Sequence, residues 1–254
     1  MNEPILGCIA DDLTGATDLC NNLVRAGMRV TLAIDVPREG GSLPADAAAQ
    51  SLQACRWLRG QGVRQIYFKV CSTFDSTPQG NIGPVIEALM DELGCDFSAV
   101  VPALPDNGRT VFRGHLFVGD VLLSDSGMRN HPLTPMTDAN LVRFLQLQLN
   151  GGKQRKTGLI DYRSVARSPE AIQERICKLR AEGVSIAIAD SIGNDDLVRL
   201  GAALHNDPLV TAGSGLAIGL PPQWGFQASP KSAELPTAKG CSSPKLRSAI
   251  ESST

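Results

Sequence analysis

Short apolar runs alternate with longer amphipathic stretches along the chain, and this alternation constrains the fold more than any other feature. The apolar runs predict buried strands and lie at residues 4–10, 29–34, 65–70, 97–103, 157–160, 185–190 and 208–212. The amphipathic stretches predict helices and lie at residues 16–27, 45–62, 80–94, 137–149, 168–183 and 195–204, with a further helical stretch beginning near residue 215. The sequence therefore predicts an α/β fold, a three-layer sandwich in which helices flank a mostly parallel sheet.

The segment 104–136 interrupts this pattern, because its TVFRGHLFV run and its GMRNHPLTPMT loop match neither a single strand nor a helix. We predict that it is an excursion, a β-hairpin that lies over the carboxyl edge of the sheet and covers a site there. The helix that follows it has Thr137 or Asp138 as its expected cap. We expect one domain over residues 1–225, and a linker or disordered tail over the polar, Ser- and Pro-rich residues 226–254.

Composition excludes several classes of function. The 254 residues are 43% hydrophobic and 20% charged with a formal net charge of −2, which gives no electrostatic signal for a nucleic-acid or membrane partner. We find neither a spanning apolar run nor a signal sequence. The seven cysteines are scattered singly without CxxC pairs, so we expect reduced thiols in a cytoplasmic protein and no metal site built from them. The oligomeric state stays open.

Polar residues follow most of the predicted strands at the point where each strand ends. They occupy residues 11–15, 69–77, 105–110, 190–191 and 213–215. Because the carboxyl ends of parallel strands share one edge of a sheet, where open α/β folds bind their ligands, we expect these turns to converge. Cations can pair with the carboxylate of a small sugar acid, and carboxylates or amides can bind its hydroxyls. The turns therefore suit a small polyhydroxylated acid.

Each turn also has a purely structural interpretation. Asp12 or Thr14 can cap the helix that follows it, and Lys69 can be a solvated lysine at the sheet edge. Residues 72–77 can form a turn with a helix cap, and the Asn-Gly pair at 107–108 can form an ordinary turn. The functional interpretation rests on the corresponding placement of all these turns after predicted strands.

Four stretches resemble a known family: IADDLTGATD, QIYFKVCSTFDSTPQGNIGPVIEALMDEL, PALPDNGRTVFRGHLFVGDVLLSDSGMRNHPLTPMTDANL and LVTAGSGLAIGLPPQW. They are similar to the N-terminal domain of the four-carbon acid sugar kinases, in particular the 3-oxo-tetronate kinase branch. The resemblance implies ATP-dependent phosphorylation of the terminal hydroxyl of a four-carbon acid sugar, such as 3-oxo-tetronate, threonate or erythronate. It also implies ATP and Mg²⁺ as cofactors of the intact family.

The resemblance assigns expected roles to the polar turns. Asp12, with Asp11 second, is the expected catalytic base or Mg²⁺-anchoring group. Lys69 and Arg109 are expected to neutralise the carboxylate of the sugar acid. The other residues expected to bind the substrate are Thr14, Ser72, Asp75, Ser76 and Asn107. No residue is assigned to the nucleotide, and the sequence does not separate the roles of the two adjacent aspartates.

The sequence departs from the family in two places. Family members carry a further strand, ending in a Lys-Ser/Thr-Arg turn, before the helix at 45–62, whereas AIDVPREGGSLPADAAAQSL passes directly from strand to helix. The glycine-rich segments of the family's ATP-binding domain are not found, and Gly240-Cys241-Ser242 is at best an echo of one of them. We therefore expect weak acid-sugar binding, and neither ATP binding nor appreciable kinase activity, from these 254 residues alone.

Three hypotheses stay open. The chain is a kinase-family protein that acts on 3-oxo-tetronate, which we favour, or a non-catalytic acid-sugar-binding domain or degenerate kinase remnant, or a phosphatase or lyase of another α/β class. The third is disfavoured because Asp11 and Asp12 lack the Asp-x-Asp spacing of haloacid-dehalogenase phosphatases. No GxxxxGK[ST] or GxGxxG loop is found, and the Gly-Ser-Gly at 213–215 is a weak phosphate-binding signal by itself.

Overall fold

The computed structural model describes residues 4–34, 47–149 and 154–228. Its strands are β1 (Leu6–Ala10), β2 (Gln65–Lys69), β3 (Ser98–Val101), β4 (Arg109–Phe112), β5 (His115–Val118), β6 (Val121–Leu122), β7 (Lys156–Ile160), β8 (Val184–Ala189) and β9 (Leu209–Ala212). Its α-helices are α1 (Leu13–Arg25), α2 (Ala47–Gly60), α3 (Ile82–Leu93), α4 (Leu141–Gln148), α5 (Tyr162–Arg167), α6 (Pro169–Ala181) and α7 (Asn194–Leu204). Short 3₁₀ helices span Pro105–Asn107, Leu123–Asp125, Gly127–Asn130, Ser214–Ile218 and Pro221–Trp224.

A six-stranded sheet forms the centre of the molecule, with strand order β1-β2-β9-β3-β8-β7. The strand pairs in this sheet are parallel. Strands β2, β3 and β9 are buried along their whole length, which explains why their sequences are continuous apolar runs without alternation. The predicted α/β sandwich with a mostly parallel sheet is confirmed.

Helices cover the sheet in two layers. Helices α2, α3 and α4 contact one another in sequence order and form one layer. Helix α1, the 3₁₀ helix Ser214–Ile218, α7, α6 and α5 make the contacts of the other layer. Each layer buries an apolar helix stripe against the sheet, as Ile86 and Leu89 do on α3 and Ile172 and Ile176 on α6.

The predicted strand at residues 29–34 is wrong. These residues follow α1 and the turn at Gly27 and form no strand, with Leu32 45% and Ile34 80% exposed. The run has the apolar character of a strand, but a strand also needs a neighbour for its backbone groups, which a local pattern cannot show. Strand β1 is consequently an edge strand of the sheet that the structure describes. Residues 35–46, where we expect the family's further strand to be missing, lie outside the described residues.

Two helix predictions need smaller corrections. Helix α4 begins at Leu141 rather than at residue 137, and its cap is Asn140, whose side chain accepts a hydrogen bond from the Arg143 amide. Asp138 instead pairs with the Arg143 guanidinium. Helix α5 was not predicted, because six residues are too few for the apolar period to show. The helical stretch predicted from residue 215 consists of two short 3₁₀ helices.

The excursion at 104–136 contains the predicted hairpin, extended to a three-stranded antiparallel sheet of β4, β5 and β6. It is fastened at the carboxyl end of β8, where Val111 pairs with Ser191 and the Asp190 carboxylate accepts a hydrogen bond of 2.8 Å from the Gly114 amide. The excursion therefore lies at the carboxyl edge of the main sheet. Most of the predicted tail at 226–254 lies outside the described residues.

Candidate functional site

Strand register brings the predicted polar turns to one edge of the sheet. Ala10 of β1 is level with Lys69 of β2, which is level with Ala212 of β9 and, through it, with Val101 of β3. Because neighbouring strands lie about 4.8 Å apart, the turns after β1 and β2 are adjacent and the turn after β3 lies about 10 Å from that after β2. This edge is the candidate site.

Asp12 is both a helix cap and the partner of a buried cation. Its extended backbone makes it the N-cap of α1, and its Oδ1 accepts a hydrogen bond of 2.5 Å from the Gly15 amide. Its Oδ2 lies 3.5 Å from Lys69 Nζ. Lys69 is only 4% exposed, so the interpretation of this residue as a solvated edge lysine is excluded.

Gly15 explains how the lysine reaches this position. A Cβ at residue 15 would lie 1.8 Å from Lys69 Nζ and 2.7 Å from Asp12 Oδ2, so only a glycine leaves room for the ammonium group against the first turn of α1. Glycine is unfavourable inside a helix by about 1 kcal/mol relative to alanine. Gly15 therefore serves the placement of a charged group rather than the helix itself.

Asp11 and Asp12 share a hydrogen bond but differ in protonation. Asp11 is exposed to solvent, but partial desolvation by the surrounding protein raises its pKa to about 6. The Lys69 charge opposes this shift, and the hydrogen bond to Asp12 adds to it. Partial burial opposes the shift at Asp12, but the Gly15 amide, the Lys69 charge and Asp11 together lower its pKa. Asp12 therefore stays ionised while Asp11 gains a proton close to neutral pH.

The turn after β2 contains a thiol, a hydroxyl and a carboxylate in contact. Cys71 Sγ lies 3.1 Å from Thr73 Oγ1 and donates a hydrogen bond of 3.2 Å to Asp75 Oδ2. Phe74, which lies between Thr73 and Asp75 in the sequence, is buried, has a left-handed backbone (φ 54°) and packs edge-on against Phe144. Sequence reasoning selected Asp75 but missed Cys71, although the C-x-T-x-D spacing of short polar side chains was a usable signal.

The two serines of this turn lie in different surroundings. Ser76 is buried, and its hydroxyl accepts a hydrogen bond of 2.8 Å from Gln148 Nε2, which ties the turn to the end of α4. Ser72 is half-buried beside the turn after β9, with its Cα 3.7 Å from where a Cβ on Gly213 would lie. Ser72 therefore lies at the edge that the turns share, whereas Ser76 takes part in packing.

Asn107 and Arg109 form a separate part of the edge, after β3. Asn107 ends the 3₁₀ helix Pro105–Asn107, and Gly108 reverses the chain with a left-handed backbone (φ 68°). The Arg109 guanidinium donates to the main-chain oxygen of Asn107, and its buried Nε has no hydrogen-bond partner within the described residues. Thr14 is exposed in the first turn of α1. These residues share the edge with Lys69, and a common cleft for all of them stays a prediction.

The Gly-Ser-Gly turn after β9 separates these two groups. A Cβ on Gly213 would lie 2.6 Å from the Pro102 oxygen, and one on Gly215 would lie 2.5 Å from the Ala103 oxygen. The main-chain oxygen of Ser214 accepts a hydrogen bond of 2.9 Å from Asn22 of α1. These glycines therefore permit close packing of neighbouring turns.

The donor set at this edge bears on the Mg²⁺ that the family resemblance implies. Within the described residues there is no group of three or more His, Cys, Asp or Glu side chains suited to holding a metal ion. Mg²⁺ that bridges substrate phosphates needs only one or two protein carboxylates, with water and phosphate oxygens completing its shell. Asp11 and Asp12 meet this smaller requirement.

None of the described helices is long and apolar enough to cross a membrane.

Comparisons with known proteins give a family match and similar relatives. A family model described as a sugar-binding N-terminal domain matches residues 6–220. A 3-oxo-tetronate kinase of Burkholderia multivorans is 56% identical over 87% of this chain and 54% of its own length. The chain thus spans about half the length of the curated relatives it matches.

Two solved structures are similar as well. A Haemophilus influenzae protein of a domain family of unknown function has a TM-score of 0.77 at 44% identity, over 88% of this chain and 57% of its own. A Bordetella bronchiseptica protein, solved with bound citrate as a domain-swapped dimer, has a TM-score of 0.69 at 27% identity, over 88% of this chain and 58% of its own. Because the family model matches residues 6–220, most of the chain, the chain belongs to the family of the sugar-binding N-terminal domain.

Proposed function

We propose that residues 1–225 are the substrate-binding domain of a 3-oxo-tetronate kinase. The domain binds a four-carbon acid sugar whose terminal hydroxyl the complete enzyme phosphorylates with ATP. Family membership and the names of the relatives support the reaction. The observation that carries the proposal is Lys69, a buried ammonium group beside two carboxylates at the edge where α/β sheets bind ligands.

The proposed substrate contacts follow from the chemistry of each group. Lys69 and Arg109 bind the carboxylate of the acid sugar, because a charge-assisted bond to a carboxylate is the strongest contact such groups make. Ser72, Asp75 and Asn107 bind its hydroxyls. Citrate, which is bound in the Bordetella bronchiseptica structure, likewise combines carboxylates with a hydroxyl. Ser76 is left out of the proposal because its hydroxyl is engaged by Gln148.

The two aspartates divide the catalytic work in this proposal. The terminal hydroxyl of the acid sugar attacks the γ-phosphorus of ATP, its proton passes to a carboxylate, and ADP leaves. Asp11 suits the role of base better than Asp12, because a pKa of about 6 lies close to neutral pH. Asp12, which stays ionised, would hold Mg²⁺. The ion, when bound, neutralises phosphate charge.

A second candidate is a non-catalytic acid-sugar-binding domain. It is supported by the family match, which is to a sugar-binding domain. Both candidates predict no turnover by this chain alone. An assay of ADP release from ATP with 3-oxo-tetronate separates them once the chain is joined to the part of the Burkholderia multivorans relative that it does not cover, since turnover favours the first candidate and binding without turnover favours the second. We place either function in the cytoplasm, because the described cysteines are free thiols, as expected in a reducing compartment.

Isothermal titration calorimetry of the 254-residue chain against D-erythronate, L-threonate and citrate tests the proposal. We expect at least one of the four-carbon acids to bind. We expect Lys69→Met to weaken that binding at least about tenfold, because the variant loses one charge-assisted hydrogen bond. Lys156→Met is the matched control, because Lys156 is exposed on β7 at the opposite edge of the sheet. Absence of binding, or equal binding by Lys69→Met, would contradict the acid-sugar function.

A further inference from the structure

We propose that Cys71 is a positioning residue of the ligand site. Its thiol holds one oxygen of the Asp75 carboxylate, so that the other oxygen is left to accept a hydrogen bond from a hydroxyl of the bound acid sugar. This inference rests on the proposed function, which supplies the ligand. It adds a residue that neither the family resemblance nor the chemistry of sugar binding singles out.

The contacts of Asp75 carry the inference. Oδ2 accepts a hydrogen bond of 3.2 Å from Cys71 Sγ. Oδ1 is buried and has no hydrogen-bond partner within the described residues. A buried carboxylate oxygen without a partner is costly, and such groups are uncommon in folded proteins unless a ligand or water completes them. The unpaired oxygen lies in the turn after β2, at the ligand-binding edge.

The direction of the hydrogen bonds follows from what each group can donate. Burial raises the pKa of the Cys71 thiol, so the sulfur keeps its hydrogen. An ionised carboxylate can only accept, so that hydrogen points to Asp75. The Thr73 hydroxyl, 3.1 Å from the sulfur, is then the donor to Cys71. The result is a short relay in which Thr73 orients the thiol and the thiol orients the carboxylate.

The backbone of the turn holds this relay in place. Phe74, between Thr73 and Asp75, has a φ of 54°, a conformation that is strained for a residue with a side chain. Its buried ring packs edge-on against Phe144 at 6.3 Å between centroids, and its amide donates to the Cys71 oxygen at 3.0 Å. Strain of this kind persists where the surrounding structure imposes it, and it clusters at ligand sites.

The test uses ligands that lack single hydroxyls. Calorimetry measures the affinity of the wild-type chain, Cys71→Ala and Cys71→Ser for D-erythronate and for 3,4-, 2,4- and 2,3-dihydroxybutyrate, which each lack one hydroxyl. We expect Cys71→Ala to bind D-erythronate about tenfold more weakly, while its affinity for the acid without the hydroxyl bound by Asp75 is unchanged. Asp75→Asn shows which acid this is, because it too should bind D-erythronate more weakly and keep its affinity for the acid that lacks the hydroxyl bound by Asp75. Cys71→Ser, which keeps a donor, should stay within about threefold of wild type.

Cys177→Ala is the matched control, because Cys177 is exposed on α6. Should Cys71→Ala not fold, Thr73→Val carries the same test by removing the donor to the thiol. An equal loss for all four acids would make Cys71 a packing residue and overturn this inference, while leaving the acid-sugar function intact. If wild type binds none of the acids, the proposed function falls and this inference falls with it.

Discussion

Asp12 makes two contacts of different kinds at the amino end of α1. One oxygen accepts a hydrogen bond from the Gly15 amide, as a helix cap does, and the other lies 3.5 Å from the buried ammonium group of Lys69. Both contacts depend on the same carboxylate, and the second also depends on the missing side chain of residue 15. The start of the helix and the position of the Lys69 ammonium group therefore both depend on Asp12 and Gly15.

Gly15→Ala is expected to weaken ligand binding with little change in stability. The new Cβ would lie 1.8 Å from Lys69 Nζ, so the ammonium group must move, while the higher helix propensity of alanine offsets the disturbance. We expect about tenfold weaker binding of D-erythronate and a melting temperature close to wild type. Gly60→Ala in α2, where nothing lies within 4 Å of the new Cβ, is the control. Unchanged affinity would mean that Lys69 does not contact the ligand.

The raised pKa of Asp11 predicts a pH dependence of stability. Surrounding protein atoms raise this pKa from 3.8 to about 6, so folding favours the protonated carboxyl. The stabilisation is fully present below about pH 4 and is lost as the pH rises through about 6. Asp207 acts in the same direction, because burial raises its pKa to about 6. Asp11→Asn, which stays neutral, should fall less in stability over this range than wild type.

Denaturant unfolding at several pH values between about 4 and 7 measures this difference. Because Asp207 is present in both proteins, the comparison isolates Asp11. Asp18→Asn, at an exposed position on α1, controls for the change in net charge. Parallel stability profiles for Asp11→Asn and wild type would contradict a raised pKa at Asp11.

At the scale of elements, Asp190 joins three parts of the chain. It follows β8, is fully buried, and accepts hydrogen bonds from the Gly114 amide at 2.8 Å and the Tyr162 amide at 2.9 Å. Gly114 lies between β4 and β5, and Tyr162 begins α5. A buried carboxylate thus fixes where the hairpin excursion and a short helix meet the edge of the sheet. No local pattern in either segment contains this information.

Asp190→Ala is expected to be strongly destabilising. It leaves two amide groups without their partner, and each unpaired buried group costs about 1–3 kcal/mol, so we expect a loss of about 2–6 kcal/mol in the free energy of unfolding. Asp190→Asn keeps one accepting oxygen and should lose less. Urea unfolding measures both, with Asp120→Ala, an exposed aspartate of the same hairpin, as control. A loss below about 1 kcal/mol for Asp190→Ala would show that the anchor is not needed.

Over the whole molecule, the parallel sheet collects distant residues at one edge. Ala10, Lys69, Ala212 and Val101 are level in neighbouring strands, so the turns that follow them emerge together. The Gly-Ser-Gly turn after β9 lies between the group around Lys69 and the group around Arg109.

The sequence alone determined the fold class, six of the seven α-helices that the structure describes within a few residues, and the turns that carry the candidate site, because period and turn chemistry are local properties. Only the tertiary structure decided that residues 29–34 form no strand, that Lys69 is buried against Gly15, and that Ser76 faces Gln148. These facts depend on which distant segments meet. Strand pairing, burial and hydrogen-bond partners are set by contacts far apart in sequence, so residues with the same local pattern can end in the core, at the site or on the surface.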